Sequence, residues 1–138
     1  AFLLDTTCSM SYSLSSMAGE FSQIVSSVSA QMPDAQYGVA TFDDYYYGSM
    51  GGSGDKIFDL VQPITTSTSA VQSTLSSLGI HGGGDGPEGS MEALYQEARE
   101  LDSHLPEGQK GVITPFHLAR IVAETGPLTD LGADPHLL

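Results

Sequence analysis

Two hydrophobic periods alternate along the first 98 residues. Phe2-Leu3-Leu4 is a short apolar run that stops at Asp5, the pattern of a strand buried on both faces. Met10, Leu14, Met17, Phe21, Ile24, Val25, Val28 and Met32 then recur at spacings of three and four, which draws one apolar stripe along a helix that Pro33 ends. Gln36 to Phe42 reads as a second strand, closed by Asp43-Asp44, and Ile57 to Val61 as a third, with the glycine-rich stretch Gly48 to Gly54 as the loop between them. A second helix is expected from Ser69 to Leu78, with Val71, Leu75 and Leu78 on one face. A third is expected to begin at Pro87 and to bury Met91, Leu94, Tyr95 and Ala98. Strand-helix alternation of this kind implies an α/β sheet with helices on its faces.

Composition changes near residue 99. Seventeen of 18 serines and all six tyrosines lie in 1–98, whereas three of four histidines and three of four basic residues lie in 99–138, which marks a segment boundary. In the second segment Leu105 to Gly111 reads as a loop, Thr114-Pro115 as a cap and first helical residue, and Phe116 to Glu124 as one short amphipathic helix. The tail from Gly126 to Leu138 has no strong periodicity. At 138 residues the chain fits one domain and is short for two.

Charge narrows the partners. Four basic against 17 acidic residues give a formal charge of −13, which argues against nucleic acid or anionic lipid, since phosphate-binding surfaces need clustered cations. A metal or a cationic ligand suits the chain better. No apolar run is long enough for a membrane span, and Ala1-Phe2-Leu3-Leu4 has no basic segment before it, so it does not read as a signal peptide. Cys8 is the one cysteine, so no internal disulfide reports the redox compartment. Low lysine with high serine, glycine and tyrosine resembles bacterial surface proteins, and the expected location is extracellular or cell-surface.

Chemistry concentrates where strands end, as ligand sites of open α/β sheets do. Asp5-Thr6-Thr7-Cys8-Ser9 sets one carboxylate and two hydroxyls at alternate positions, and alternate side chains of an extended backbone point the same way. A hard cation such as Mg²⁺ accepts such a set together with waters at about 2.1 Å. The competing reading is local: Thr7 and Ser9 cap the helix that starts near Met10. Downstream, His81-Gly82-Gly83-Gly84-Asp85-Gly86-Pro87-Glu88 sets two carboxylates three residues apart at a helix start, where they either serve a cation or favour the helix dipole.

Taken together, L-L-D-T-T-C-S-M, Y-G-V-A-T-F-D-D and G-G-G-D-G-P-E resemble a von Willebrand factor A-type domain with a metal-ion-dependent adhesion site, of the integrin β-subunit-like and bacterial subtype, over residues 1–98. The resemblance implies a three-layer, Rossmann-like α/β fold whose C-terminal half is incomplete here. It implies Asp5, Thr7, Ser9 and Glu88 as ligands of a primary Mg²⁺, Mn²⁺ or Ca²⁺, and Asp43, Asp85 and the Pro87 carbonyl as a second, calcium-type site. Departures are visible. Gly83 stands where the family carries an amide, Cys8 stands where it carries glycine and is read as an inert packed thiol, and Tyr12 and Ser13 stand where a third site would need acids, so that site is expected to be absent. The family's later half is not recognisable; Leu128-Thr129-Asp130-Leu131 imitates its third loop without a strand before it.

The expected function is cation-dependent protein binding, with a partner carboxylate completing the metal shell. The alternative is a structural or assembly protein whose incomplete sheet is filled by self-association or by a complementing chain, the metal being only structural. Catalysis is not expected. His81-Gly82-Gly83-Gly84 resembles an oxyanion loop, but no G-x-S-x-G elbow occurs, His81 reads as an ordinary solvent-facing loop histidine, and His104, His117 and His136 lack zinc-site spacing. The glycine loop also lacks the lysine of a phosphate cradle. Tyr45-Tyr46-Tyr47 reads either as an aromatic contact patch or as plain loop.

Overall fold

The computed structural model describes residues 1–46, 51–83, 89–111 and 113. Within them the order is β1 (Phe2–Asp5), a 3-10 turn (Cys8–Met10), α1 (Ser11–Gln31), β2 (Tyr37–Phe42), β3 (Asp59–Thr65), α2 (Thr68–Ser77), α3 (Ser90–Ser103) and a second 3-10 turn (Glu107–Gln109). By its internal contacts the chain divides into Ala1–Ala93 and Leu94–Leu138, the break falling inside α3.

The first unit is mixed α/β, built on a three-stranded sheet of order β1-β2-β3. β1 and β2 run parallel, from Phe2 opposite Val39 to Asp5 opposite Phe42. A parallel pair needs a long crossover, which α1 supplies. β3 lies antiparallel to β2, from Tyr37 opposite Thr65 to Thr41 opposite Asp59, with an irregular register around Val39.

The middle of the expected α1 stripe forms the core, while Met10 precedes the helix and Ile24 stands outside the core cluster. Leu14, Met17, Phe21, Val25 and Val28 pack with Phe2 and Leu4 of β1, Tyr37 and Val39 of β2, and Val71 and Leu75 of α2. Phe21 is the centre of this core, with Phe2 at 5.6 Å and Tyr37 at 6.4 Å in edge-to-face contact. Met32 departs from the stripe: it lies past the last helical residue, its N–H closes on the Val28 carbonyl at 2.8 Å, and its side chain is exposed.

The third strand is displaced from the expected Ile57 to Val61. The Asp43 N–H donates to the Lys56 carbonyl at 2.7 Å and the Lys56 N–H returns to the Asp43 carboxylate, so the chain at Lys56 is tied to the end of β2 and the ladder opens only at Asp59. It continues through Pro63 because β3 is an edge strand, where a missing N–H leaves no ladder bond broken.

The face of α3 differs in part from the expected one. Ala98 is buried as expected, but Met91 and Tyr95 are exposed, and Ala93 and Glu97 are buried in their place. Gly89 decides this. Its N–H donates to the Asp43 carbonyl at 3.1 Å, and a side chain there would meet Ile57 at 2.9 Å, so the chain sits tight on the end of β2. Ala93, one turn on, donates to the Gly89 carbonyl at 3.0 Å and therefore falls on the buried side. On the outer side the Arg99 guanidinium lies 5.8 Å from the Tyr95 ring.

In the second unit, Gly111 and Ile113 donate their N–H groups to the Asp102 carboxylate at 2.8 to 3.1 Å, which closes the chain back on the end of α3. The expected Leu105 to Gly111 loop carries the 3-10 turn at Glu107–Gln109. Pro87, the Thr114-Pro115 cap, the Phe116 to Glu124 helix and the Gly126 to Leu138 tail lie outside the described residues. Among those described, no helix is long and apolar enough to cross a membrane.

Two outcomes follow from this packing. Phe21→Ala removes an almost wholly buried ring and should lower stability by about 3 to 5 kcal/mol, measured by denaturant unfolding at constant slope. Burial raises the Glu97 carboxyl above its ordinary 4.5, with Glu100 adding to the rise. Folding therefore disfavours the ionised form, and stability should rise as pH falls through the raised value towards 4.5. Glu97→Gln should accordingly raise the melting temperature at neutral pH and show a gain that shrinks as pH approaches 4.5, read by thermal melts across that range.

Candidate metal centre

Beyond the carboxyl end of β1 the chain turns sharply, and the three alternate oxygens come together. Asp5 Oδ1 accepts from the Thr7 N–H at 2.8 Å and from Thr7 Oγ1 at 2.7 Å, and Thr7 Oγ1 lies 3.4 Å from Ser9 Oγ. Neither hydroxyl is used as a helix cap: Thr7 precedes the 3-10 turn and Met10 precedes α1, and neither position makes a side-chain cap bond. The local reading of Thr7 and Ser9 is thus not the one the fold adopts. The expected convergence of Asp5, Thr7 and Ser9 is present.

Thr6, whose side chain points the other way, begins a second arrangement. Its N–H donates to the Phe42 carbonyl at 3.0 Å, and its hydroxyl donates to Asp43 Oδ1. Asp43 is only 1% exposed. Its second oxygen, Oδ2, accepts from the Lys56 N–H at 3.3 Å and faces His81 Nδ1 at 3.1 Å. One buried carboxylate thereby joins the loop after β1, the turn before β3 and the loop after α2.

That last loop is fastened to the first by backbone bonds as well. The His81 N–H donates to the Thr6 carbonyl at 2.8 Å, and the Cys8 N–H donates to the Gly82 carbonyl at 3.2 Å. Cys8 itself is exposed, its thiol leaning on the His81 carbonyl at 3.4 Å, so the expected packed thiol is corrected to an accessible one. The physical reason is that its N–H and its thiol both reach carbonyls of this loop, which anchors the side chain at the surface and outside the core. His81 is only partly the solvent-facing histidine expected, since its ring is held by Asp43 on one edge.

Two further acids are buried beside this junction. Asp44 is 0% exposed, and Asp55 is 7% exposed and accepts from the Gly52 N–H at 2.6 Å. Glycine backbone covers them. A Cβ at Gly82 would stand 2.7 Å from Asp55 Oδ1, and one at Gly51 would stand 2.8 Å from Asp44 Cβ. Gly83 has φ of +129°, a conformation open to glycine, and brings its backbone against Thr7 and Asp44. Buried carboxylates require hydrogen bonds or a compensating positive charge.

Sequence reasoning named Asp43 and Asp44 as a strand end but did not foresee Thr6 or Asp55. The signal for Asp55 was local, an aspartate three residues after a glycine in a turn-rich stretch. Nothing local marked Thr6.

Of the expected primary ligands, Asp5, Thr7 and Ser9 are assembled, and Glu88 lies outside the described residues. Of the second set, Asp43 has its oxygens engaged by Thr6, Lys56 and His81, and Asp85 and Pro87 lie outside the described residues. Among the described residues no group of three or more His, Cys, Asp or Glu side chains converges as metal ligands; two of the three oxygens assembled after β1 are hydroxyls. Tyr45 is partly buried and Tyr46 exposed, while Tyr47 lies outside the described residues. The chain matches no protein-family model, and no curated protein matches it.

The Asp43 junction generates a prediction. Asp43→Ala leaves the Thr6 hydroxyl, the Lys56 N–H and the His81 ring without their common acceptor, and should lower stability by about 3 kcal/mol. Amide exchange should accelerate at His81 and Cys8 more than at Val39, measured by native-state hydrogen exchange.

Proposed function

We propose that the chain is a divalent-cation-dependent binding module of the von Willebrand factor A type, a binder of protein ligands and not an enzyme. The observation that carries this reading is the Asp5-Thr7-Ser9 oxygen set, drawn together at the end of the parallel strand β1 and not consumed by helix capping.

The donor set suits a hard cation. In an octahedral shell with metal–oxygen distances of about 2.1 Å, neighbouring oxygens are about 3.0 Å apart. The observed separations, 2.7 Å from Asp5 to Thr7 and 3.4 Å from Thr7 to Ser9, straddle that value. The hydrogen bonds that hold these oxygens together would give way to the metal with little movement. Charge favours a cation too, since residues 1–93 carry ten acids and one lysine, and three of those acids are buried beside the same loops.

In this reading Asp5, Thr7 and Ser9, with Glu88 as the fourth ligand, hold Mg²⁺ or a related ion. The ion supplies an open coordination position for a carboxylate of the partner. The Asp43, Asp85 and Pro87 set is the proposed calcium-type second site; occupancy there requires Asp43 to exchange its bonds to Thr6, Lys56 and His81 for the metal. An extracellular or cell-surface location accords with the composition.

One observation favours the assembly reading: among the described residues β1 pairs with β2 on one side only, so a second chain adding there would enlarge the sheet. The two readings separate in one experiment. Titration calorimetry of EDTA-stripped protein with Mg²⁺, Mn²⁺ and Ca²⁺ should give heat that vanishes in Asp5→Ala, with the protein's mass in solution unchanged. Folded wild-type protein that takes up no cation would overturn the adhesion reading, and a cation-independent oligomer would favour assembly.

A further inference from the structure

Asp55 stands between β2 and β3, is only 7% exposed, and belongs to neither of the expected ligand sets. Its carboxylate touches two segments of chain. Oδ2 accepts from the Gly52 N–H at 2.6 Å, and the Asp55 N–H returns to the Gly52 carbonyl at 3.1 Å, a closed turn that fixes the side chain in place. Oδ1 lies against the loop after α2, where a Cβ on Gly82 would stand 2.7 Å from it.

Gly82 does not have a positive φ, so its backbone is open to other residues and close approach alone demands glycine there. Its carbonyl accepts the Cys8 N–H at 3.2 Å. Cys8 separates Thr7 from Ser9, so the place of Gly82 bears on two of the three oxygens assembled after β1. Gly83, the next residue, lies against Thr7 itself, since a Cβ there would be 3.4 Å from Thr7 Cβ. A line of contact therefore runs from Asp55 through Gly82 to Cys8 and ends on the oxygen set.

A buried carboxylate is a firm stop for a loop. It cannot swing aside without giving up the Gly52 bond, and a buried polar group left unpaired is costly. The Gly82 backbone is thus held at one distance from it. Metal–oxygen bonds of about 2.1 Å leave little tolerance in the placing of ligands. Groups that orient ligands from behind typically change metal affinity by about 10- to 100-fold.

Resting on the cation-site reading above, we infer that Asp55 is a positioning residue of that site. It sets Gly82 and, through the bond from Cys8 to Gly82, the spacing of Thr7 and Ser9. It acts by shape and hydrogen bonding, and its charge is not what the metal uses.

The test titrates the EDTA-stripped full chain with Mg²⁺ by calorimetry, in wild type, Asp55→Asn, Asp55→Ala, Gly82→Ala and the double variant Asp55→Ala/Gly82→Ala. Asp55→Asn keeps the outline of the side chain and an acceptor for the Gly52 N–H, and should bind within about twofold of wild type, whereas Asp55→Ala should bind about tenfold more weakly. Gly82→Ala presses on Oδ1 and should also weaken binding by about tenfold. In the double variant the new methyl group enters space that the carboxylate has left, so it should bind more tightly than either single variant. Hydrogen exchange in EDTA reads the same contact without metal: the Cys8 amide should exchange faster in Asp55→Ala than in wild type or Asp55→Asn. Asp55→Asn as weak as Asp55→Ala would assign the effect to charge and overturn the proposal. Asp55→Ala that matches wild type in both measurements overturns it as well, while wild-type protein that takes up no Mg²⁺ removes the cation-site reading beneath it.

Discussion

Three loops of this fold meet at one carboxylate. Asp43, closed off from solvent, gives one oxygen to the Thr6 hydroxyl and the other to the Lys56 N–H and the His81 ring. A charge in that position is tolerated only while its acceptor sites are filled, so the three loops are bound to a common geometry. The side-chain alternation after β1 then follows: with Thr6 turned towards Asp43, Asp5, Thr7 and Ser9 are left facing together. The late start of β3 and the fixed edge of His81 have the same origin.

What was legible in the sequence was what depends on near neighbours along the chain. The α1 stripe is a repeat of three and four sustained over most of its 21 residues, and tertiary contacts had only to agree with it. The meeting of Asp5, Thr7 and Ser9 is likewise local, a product of alternation over five residues. The register of β3 and the face of α3 were not legible, because distant backbone sets them: Lys56 bound to Asp43 in one case, Gly89 bound to the Asp43 carbonyl in the other. The Thr6 bond spans 37 positions and the His81 bond 38, separations at which no periodicity carries a signal. For α3 the pattern suggested Met91 and Tyr95 on the buried face together with Ala98; Ala98 is buried as expected, but close approach at Gly89 turned the small Ala93 inward and left Met91 exposed, as Tyr95 also is.

Charge is distributed with the same economy of means. Acids crowd the loops at the strand ends, where Asp43, Asp44 and Asp55 lie buried under glycine backbone. The glycines matter here for what they lack, since a side chain at Gly82 or Gly51 would enter the space of these carboxylates. The one lysine of the first unit is held apart, on the far side of Thr6, where its pairing with Asp59 raises its own pKa and keeps it charged.

The bonds from His81 to Thr6 and from Cys8 to Gly82 have a consequence for the edge of β1. They lie just past the strand, so that the Thr6 carbonyl and the Cys8 N–H are already spent on residues 81–82. An extended segment laid along β1 finds those two groups taken and must draw its ladder from the backbone before Thr6. Such an addition is bounded at its Thr6 end, which limits how far its register can slide in that direction.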